Sequence, residues 1–129
     1  MFENLHALIV EDNITDVMVL QRLLESLGVI SDVINEPPTL DTIRRVGRAD
    51  IVFLDFDLPD TNGYEVLENL LHDPEFQNVP IVAYTSHLSE IAAASHAGFH
   101  SFIGKPLSSE RLPDQLQRIM SGESVWEVR

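Results

Sequence analysis

The sequence predicts an α/β fold: a doubly wound parallel sheet of five strands, covered by five helices. Two observations carry this. Short apolar runs alternate with helical stripes five times along the 129 residues, as in a chain that lays each strand parallel to the last through a helical crossover. Three of the runs are largely apolar on both faces, which suits strands buried from both sides. The length suits one domain, and no internal repeat, low-complexity tract or linker interrupts it.

Residues 7–10 read as the first strand. A helix over 14–27 follows, with Val17, Leu20, Leu24 and Leu27 on one stripe, Asn13 as its N-cap and Gly28 as its stop. Residues 29–34 read as the second strand. After Pro37 and Pro38 comes a short helix over 39–46, ending at Gly47. The third strand, 51–54, leads to a helix over 64–72 that buries Leu67, Leu70 and Leu71; Asn62-Gly63 before it is a turn signal. The fourth strand, 81–84, precedes an alanine-rich helix over 88–97 stopped by Gly98. The fifth strand, 99–103, leads to a helix over 109–120 with Leu112, Leu116, Ile119 and Met120 on one face. Pro113 sits near that helix's first turn, where a missing N–H costs least.

For five strands joined by right-handed crossovers, the flavodoxin-like order 2-1-3-4-5 is the common solution. Ligands of such sheets bind at the carboxyl ends of the strands, near the switch between strands 1 and 3. There the sequence places Glu11-Asp12 after strand 1, Asp55 after strand 3, Thr85-Ser86 after strand 4 and Gly104-Lys105-Pro106 after strand 5. Three carboxylates brought together repel one another, and a divalent cation relieves this. Mg²⁺ takes hard oxygen ligands and commonly joins one or two carboxylates to a phosphate. Lys105 offers a mobile charge suited to a phosphoryl oxygen, the Thr85 hydroxyl a second donor, and an Asp can serve as the nucleophile that becomes an aspartyl phosphate.

Composition narrows the partners. The formal net charge of −13 repels nucleic acid and anionic membranes. Without cysteine, disulfides and zinc–thiolate sites are excluded. No apolar run approaches the roughly 20 residues that span a bilayer, and residues 1–4 lack the character of a signal peptide, so the expected location is the cytoplasm.

The motifs ALIVED at 7–12, IVFLDFDLPDTNGYEVL at 51–67, PIVAYTS at 80–86 and FIGKPL at 102–107 together resemble the receiver domain of two-component response regulators, of the single-domain type. The likeness extends to about Met120, giving a receiver over 1–122 and a short tail over 123–129. It implies that Asp55 is the phosphoacceptor, with Mg²⁺ (Mn²⁺ substituting) bound by Asp12, Asp55, the backbone carbonyl of Asp57 and, through water, Glu11. It implies that Thr85 and Lys105 hold the phosphoryl oxygens, that Thr85 and Phe102 form the switch, and that the Lys105–Pro106 bond is cis. Asp57 and His87 flank the path of the hydrolytic water and are expected to set the lifetime of the phosphorylated state. The implied partners are a histidine kinase or phosphotransfer protein and a downstream protein target. The face formed by the fourth helix, fifth strand and fifth helix would carry the signal or a homodimer contact. With no output domain in the sequence, the readout would be binding or phosphorelay.

Simpler readings stand beside these. Glu11 and Asp12 favour the start of a helix in any protein, Phe102 is equally an ordinary core residue, and Trp126 either packs on the sheet or anchors a partner. His6, His72, His96 and His100 form no evident metal set. His100 and Ser101 stand where many relatives carry an acidic pair, and Gly104 adds backbone freedom. Asp55-Phe56-Asp57 also resembles the D-x-D of phosphatases that form an aspartyl phosphate, but Pro59 departs from their pattern and no second acidic motif follows Lys105. A flavin or nucleotide binder needs a phosphate-cradling loop after strand 1, where this chain has Glu11-Asp12-Asn13. A phosphate-independent docking module on the same fold is the remaining alternative.

Overall fold

The computed structural model describes residues 2–34, 40–55, 63–86 and 88–127. The elements run β1 (His6–Val10), α1 (Ile14–Ser26), β2 (Ile30–Ile34), α2 (Leu40–Val46), β3 (Ile51–Leu54), α3 (Gly63–Leu71), β4 (Ile81–Thr85), α4 (Ile91–Ala97), β5 (Ser101–Gly104), α5 (Leu112–Met120) and β6 (Trp126–Glu127). Single 3₁₀ turns at Pro74–Phe76 and Leu88–Glu90 precede β4 and α4. The sheet is parallel throughout, in the order β2-β1-β3-β4-β5-β6.

The predicted 2-1-3-4-5 order holds, but the prediction of five strands is corrected to six. The sixth is a two-residue strand of the tail, paired with β5 so that Phe102 faces Trp126 and Ile103 faces Glu127. Its register is fixed by two bonds to β5: the Phe102 N–H donates to the Val125 carbonyl at 2.7 Å, and the Val125 N–H donates to Ser101 Oγ at 2.9 Å.

The period-two alternation of the strands divides the core. Leu8, Val10, Val52, Leu54, Ala83 and Phe102 point to one face and pack with Ile43, Val66, Leu67, Leu70 and Ala94 of α2, α3 and α4. Ala7, Ile9, Phe53, Val82, Tyr84 and Ile103 point to the other, against Leu20 and Leu24 of α1 and Leu112, Leu116 and Ile119 of α5. Trp126 packs against the first of these clusters.

Local signals place the ends. Asn13 caps α1, its side chain accepting the Asp16 N–H at 3.0 Å. Gly98 closes α4 in the left-handed region at φ 106°, and the chain needs two more residues before β5 begins, later than expected. The predicted fourth helix divides into the 3₁₀ turn and α4. Residues 108–111 form a turn closed on the Ser108 carbonyl, so α5 starts at Leu112 rather than 109, with Pro113 in its first turn.

Candidate functional site at the carboxyl edge of the sheet

Four strand ends meet where the topology reverses between β1 and β3. Glu11 leaves β1 fully buried, Asp55 leaves β3 with only 4% of its surface exposed, and Thr85 closes β4 fully buried. Lys105 follows β5. The pairing of Thr85 with Gly104, together with a 2.9 Å bond from the Lys105 N–H to the Thr85 carbonyl, sets the Lys105 backbone beside the end of β4. Gly104 is therefore a paired strand residue rather than a loose joint. The Lys105–Pro106 bond is cis.

The Lys105 ammonium is the centre of the site. It donates to Asp16 Oδ2 at 2.8 Å, Glu11 Oε1 at 3.0 Å and Asp55 Oδ2 at 3.1 Å, using all three of its donors. It also lies 4.5 Å from the centroid of the Tyr84 ring, within cation–π range. Burial opposes its charge, but the bond to Asp16 and the charges of Asp55 and Glu11 outweigh that, and the net effect holds its pKa above the ordinary lysine value. Glu11 moves the other way: burial first, then the adjoining Asp55 carboxyl, push it up to about 9.

Of the residues singled out in the sequence, Glu11, Asp55 and Lys105 converge, with Thr85 at the neighbouring strand end. Asp12 does not join them: it is exposed and lines a groove of about 390 Å³ with Ile14, Val17, Met18, Gln21, Ser31, Asp32 and Val33. The third carboxylate at the lysine is that of Asp16. Asp57 and His87 lie outside the described residues, as do Pro37, Pro38, Thr39, Pro59, Asn62 and the end of the tail. Phe102 is wholly buried.

Two contributors are absent from the sequence reading. Asp16 stands on the third residue of α1, four after Asp12 and so on the same side of the helix start, and that spacing is its only signal. Tyr84 donates its hydroxyl to the Asp16 carbonyl at 3.3 Å while its ring faces Lys105, and an apolar strand reading hides both contacts.

Among the described residues no three His, Asp or Glu side chains form a metal cage on their own. The donor set nevertheless fits a hard cation. Glu11 Oε2 is buried without a hydrogen-bond partner, its carboxylate adjoins that of Asp55, and Asp12 stands next to it at the rim.

The match to known proteins agrees with this geometry. Residues 7–117 match the response regulator receiver domain, and the chain belongs to that family. Receiver domains are modules of two-component signal transduction rather than classical enzymes, and phosphorylation and Mg²⁺ binding are typical of them. The chain is 28% identical over 124 residues to chemotaxis protein CheY-3 of Vibrio cholerae, covering 91% of this chain and 92% of that protein. It is 31% identical over 123 residues to the sensor histidine kinase AtsR of Burkholderia thailandensis, covering 92% of this chain but only 20% of AtsR. Among solved structures, the receiver domain of the sensor histidine kinase PA1611 of Pseudomonas aeruginosa, with a magnesium ion in its active-site cleft, superposes with TM-score 0.79 at 25% identity, covering 92% and 98% of the two chains. The chemotaxis response regulator CheY4 of Vibrio cholerae shares the fold with TM-score 0.78 at 20% identity, covering 89% and 98%. No helix among the described residues is long and apolar enough to cross a membrane.

Proposed function

We propose that this chain is a phosphorylated receiver that accepts a phosphoryl group on Asp55 from a phosphohistidine of a histidine kinase or phosphotransfer protein. The observation that carries the reading is the 3.1 Å contact between Lys105 Nζ and Asp55 Oδ2 at a buried strand end. It puts a cation beside the carboxylate that the receiver motif marks as the nucleophile. Asp55 attacks phosphorus, the bond to the donor nitrogen breaks, and the donor keeps the electron pair. Lys105 and the Thr85 hydroxyl hold oxygens of the transferred group, which is much of what phosphoryl transfer asks of a protein.

Glu11, Asp12, Asp55 and the carbonyl of Asp57 would hold Mg²⁺, which when bound neutralises charge on the phosphoryl oxygens. The orphaned Glu11 Oε2 supports a cation there. Asp57 and His87 set the lifetime of the phosphorylated form through the water that removes the group.

The signal leaves through Thr85 and Phe102. Thr85 adjusts to the new oxygens, Phe102 repacks, and the face of α4, β5 and α5 shifts between two populated states. That face binds a downstream protein or a second copy of the chain. The receiver spans residues 1–122 and works in the cytoplasm, and within the 123–129 tail Trp126–Glu127 pairs with β5 of that face as β6.

The direct test is chemical mapping. After treatment with acetyl phosphate and Mg²⁺, borohydride reduces an acyl phosphate to an alcohol. The reading expects homoserine at residue 55 in the peptide map. Reduction at another acidic residue, or at none, refutes it.

A further inference from the structure

Resting on that reading of Asp55, we propose that Asp16, braced by Tyr84, is a positioning residue that competes with the phosphoryl group for Lys105 and thereby sets how tightly the site holds a phosphoryl group.

The ammonium of Lys105 has three donors, and three carboxylates take them. The shortest contact is to Asp16, at 2.8 Å, against 3.1 Å to Asp55. An oxygen newly attached at Asp55 must take a share of that ammonium from one of its present partners.

Asp16 is built to resist the exchange. Its N–H is tied to the Asn13 side chain at 3.0 Å, and its carbonyl accepts the Tyr84 hydroxyl at 3.3 Å. The same Tyr84 presents its ring to the ammonium at 4.5 Å. One aromatic residue thus braces the carboxylate through its hydroxyl and attracts the cation through its face, both drawing Lys105 toward α1. The Asp16 side chain is one-third exposed, whereas Lys105 is 11% exposed. The pair lies at the rim, in front of the buried Asp55.

Asp16 touches neither Asp55 nor any reacting atom in the contacts described; it acts through the lysine. Charge that Lys105 spends on Asp16 is charge withheld from the phosphoryl oxygens. Removing the Asp16 charge while keeping its shape frees that cation, and the site then binds a phosphoryl group more tightly.

The experiment is an equilibrium titration with beryllofluoride, a phosphoryl mimic that coordinates a carboxylate oxygen, at saturating Mg²⁺, followed by ¹⁹F NMR. Asp16→Asn is expected to lower the apparent Kd about two- to fivefold, the size of one partly exposed ion pair. Asp16→Glu, which keeps the charge, returns toward the wild-type value. Tyr84→Phe, which removes the brace but not the charge, moves the same way as Asp16→Asn by a smaller factor. A general loss of negative charge would give the first result too, so the decisive comparison is made with Lys105→Met: there, adding Asp16→Asn leaves the Kd unchanged. An unchanged or weakened Kd in Asp16→Asn, or an equal gain in the Lys105→Met background, overturns the proposal while leaving Asp55 as the acceptor. Wild-type protein that takes no beryllofluoride, or an Asp55→Asn variant that binds it equally well, overturns the acceptor reading and this proposal with it.

Discussion

Ser101 Oγ accepts the N–H of Val125 at 2.9 Å in a fully buried setting, and this bond fastens the tail to the edge of the sheet. Ser101 itself is wholly buried. Replacing it with Ala leaves a buried donor without its acceptor, which costs about 1–3 kcal/mol. Urea denaturation of Ser101→Ala is expected to show a loss of that size. A loss below about 0.3 kcal/mol, within the range of a neutral surface change, would mean that the tail contributes nothing to the fold.

The same tail predicts a pH dependence. Glu127 accepts from Gln115 Nε2 and from Arg118 Nη1, both at 2.9 Å, and these contacts, Gln115 first, hold its carboxyl below the ordinary glutamate value. A carboxylate with a depressed folded-state pKa contributes stability above its unfolded value of 4.5, and that stability is lost as pH falls through the folded value. Glu127→Gln is therefore expected to lower stability at pH 7 and to match wild type at low pH. Melting curves across pH 3–7 (about the range over which carboxylates titrate) check this, and a constant offset between the two proteins contradicts it.

Three carboxyl groups share one ammonium around Lys105, and one of them, Glu11, is fully buried. Burial and the adjoining Asp55 hold Glu11 protonated at neutral pH, and Glu11→Gln keeps that neutral form while Asp16 and Asp55 remain to pair the lysine. In chelator the variant is expected to be more stable than wild type at neutral pH, because wild type must take up a proton on a group whose unfolded value is 4.5, and to match wild type at acid pH. Added Mg²⁺ raises the melting temperature of wild type and leaves the variant unmoved. A variant less stable than wild type at neutral pH in chelator would show that the Lys105–Glu11 attraction outweighs the cost of that proton.

Gly98 ends α4 at φ 106°, and a Cβ there would stand 3.2 Å from Leu71 Cδ1. Gly98→Ala faces both the left-handed backbone and this contact, and about 1–2 kcal/mol of stability is expected to go. Denaturant midpoints measure it, and an unchanged midpoint contradicts the role of Gly98 as the stop between α4 and β5.

The sheet was legible in the sequence wherever burial governs it. β1, β3 and β4 lie under helices on both faces, so their apolar runs stand out, and the residues that follow them are set by chain continuity alone. Glu11, Asp55, Thr85 and Lys105 could be placed for that reason. β6 left no such trace: it is two residues long, half-buried, and fixed by a hydroxyl 24 residues away. Asp16 went unnoticed because it stands in the first turn of α1, where an acidic residue is expected in any helix, and its contact depends on how far Lys105 reaches across from β5. The start of β5 depends on the two residues needed to leave the left-handed turn at Gly98, which no hydrophobic pattern records.

Intact-protein mass after exposure to acetyl phosphate, with and without Mg²⁺, for wild type and Asp55→Asn, tests the central claim most directly. The account predicts one phosphate adduct on wild type, dependent on Mg²⁺ and absent from Asp55→Asn. No adduct on wild type, or an adduct that survives in Asp55→Asn, would contradict it and leave a docking module that keeps the receiver fold without its phosphoryl chemistry.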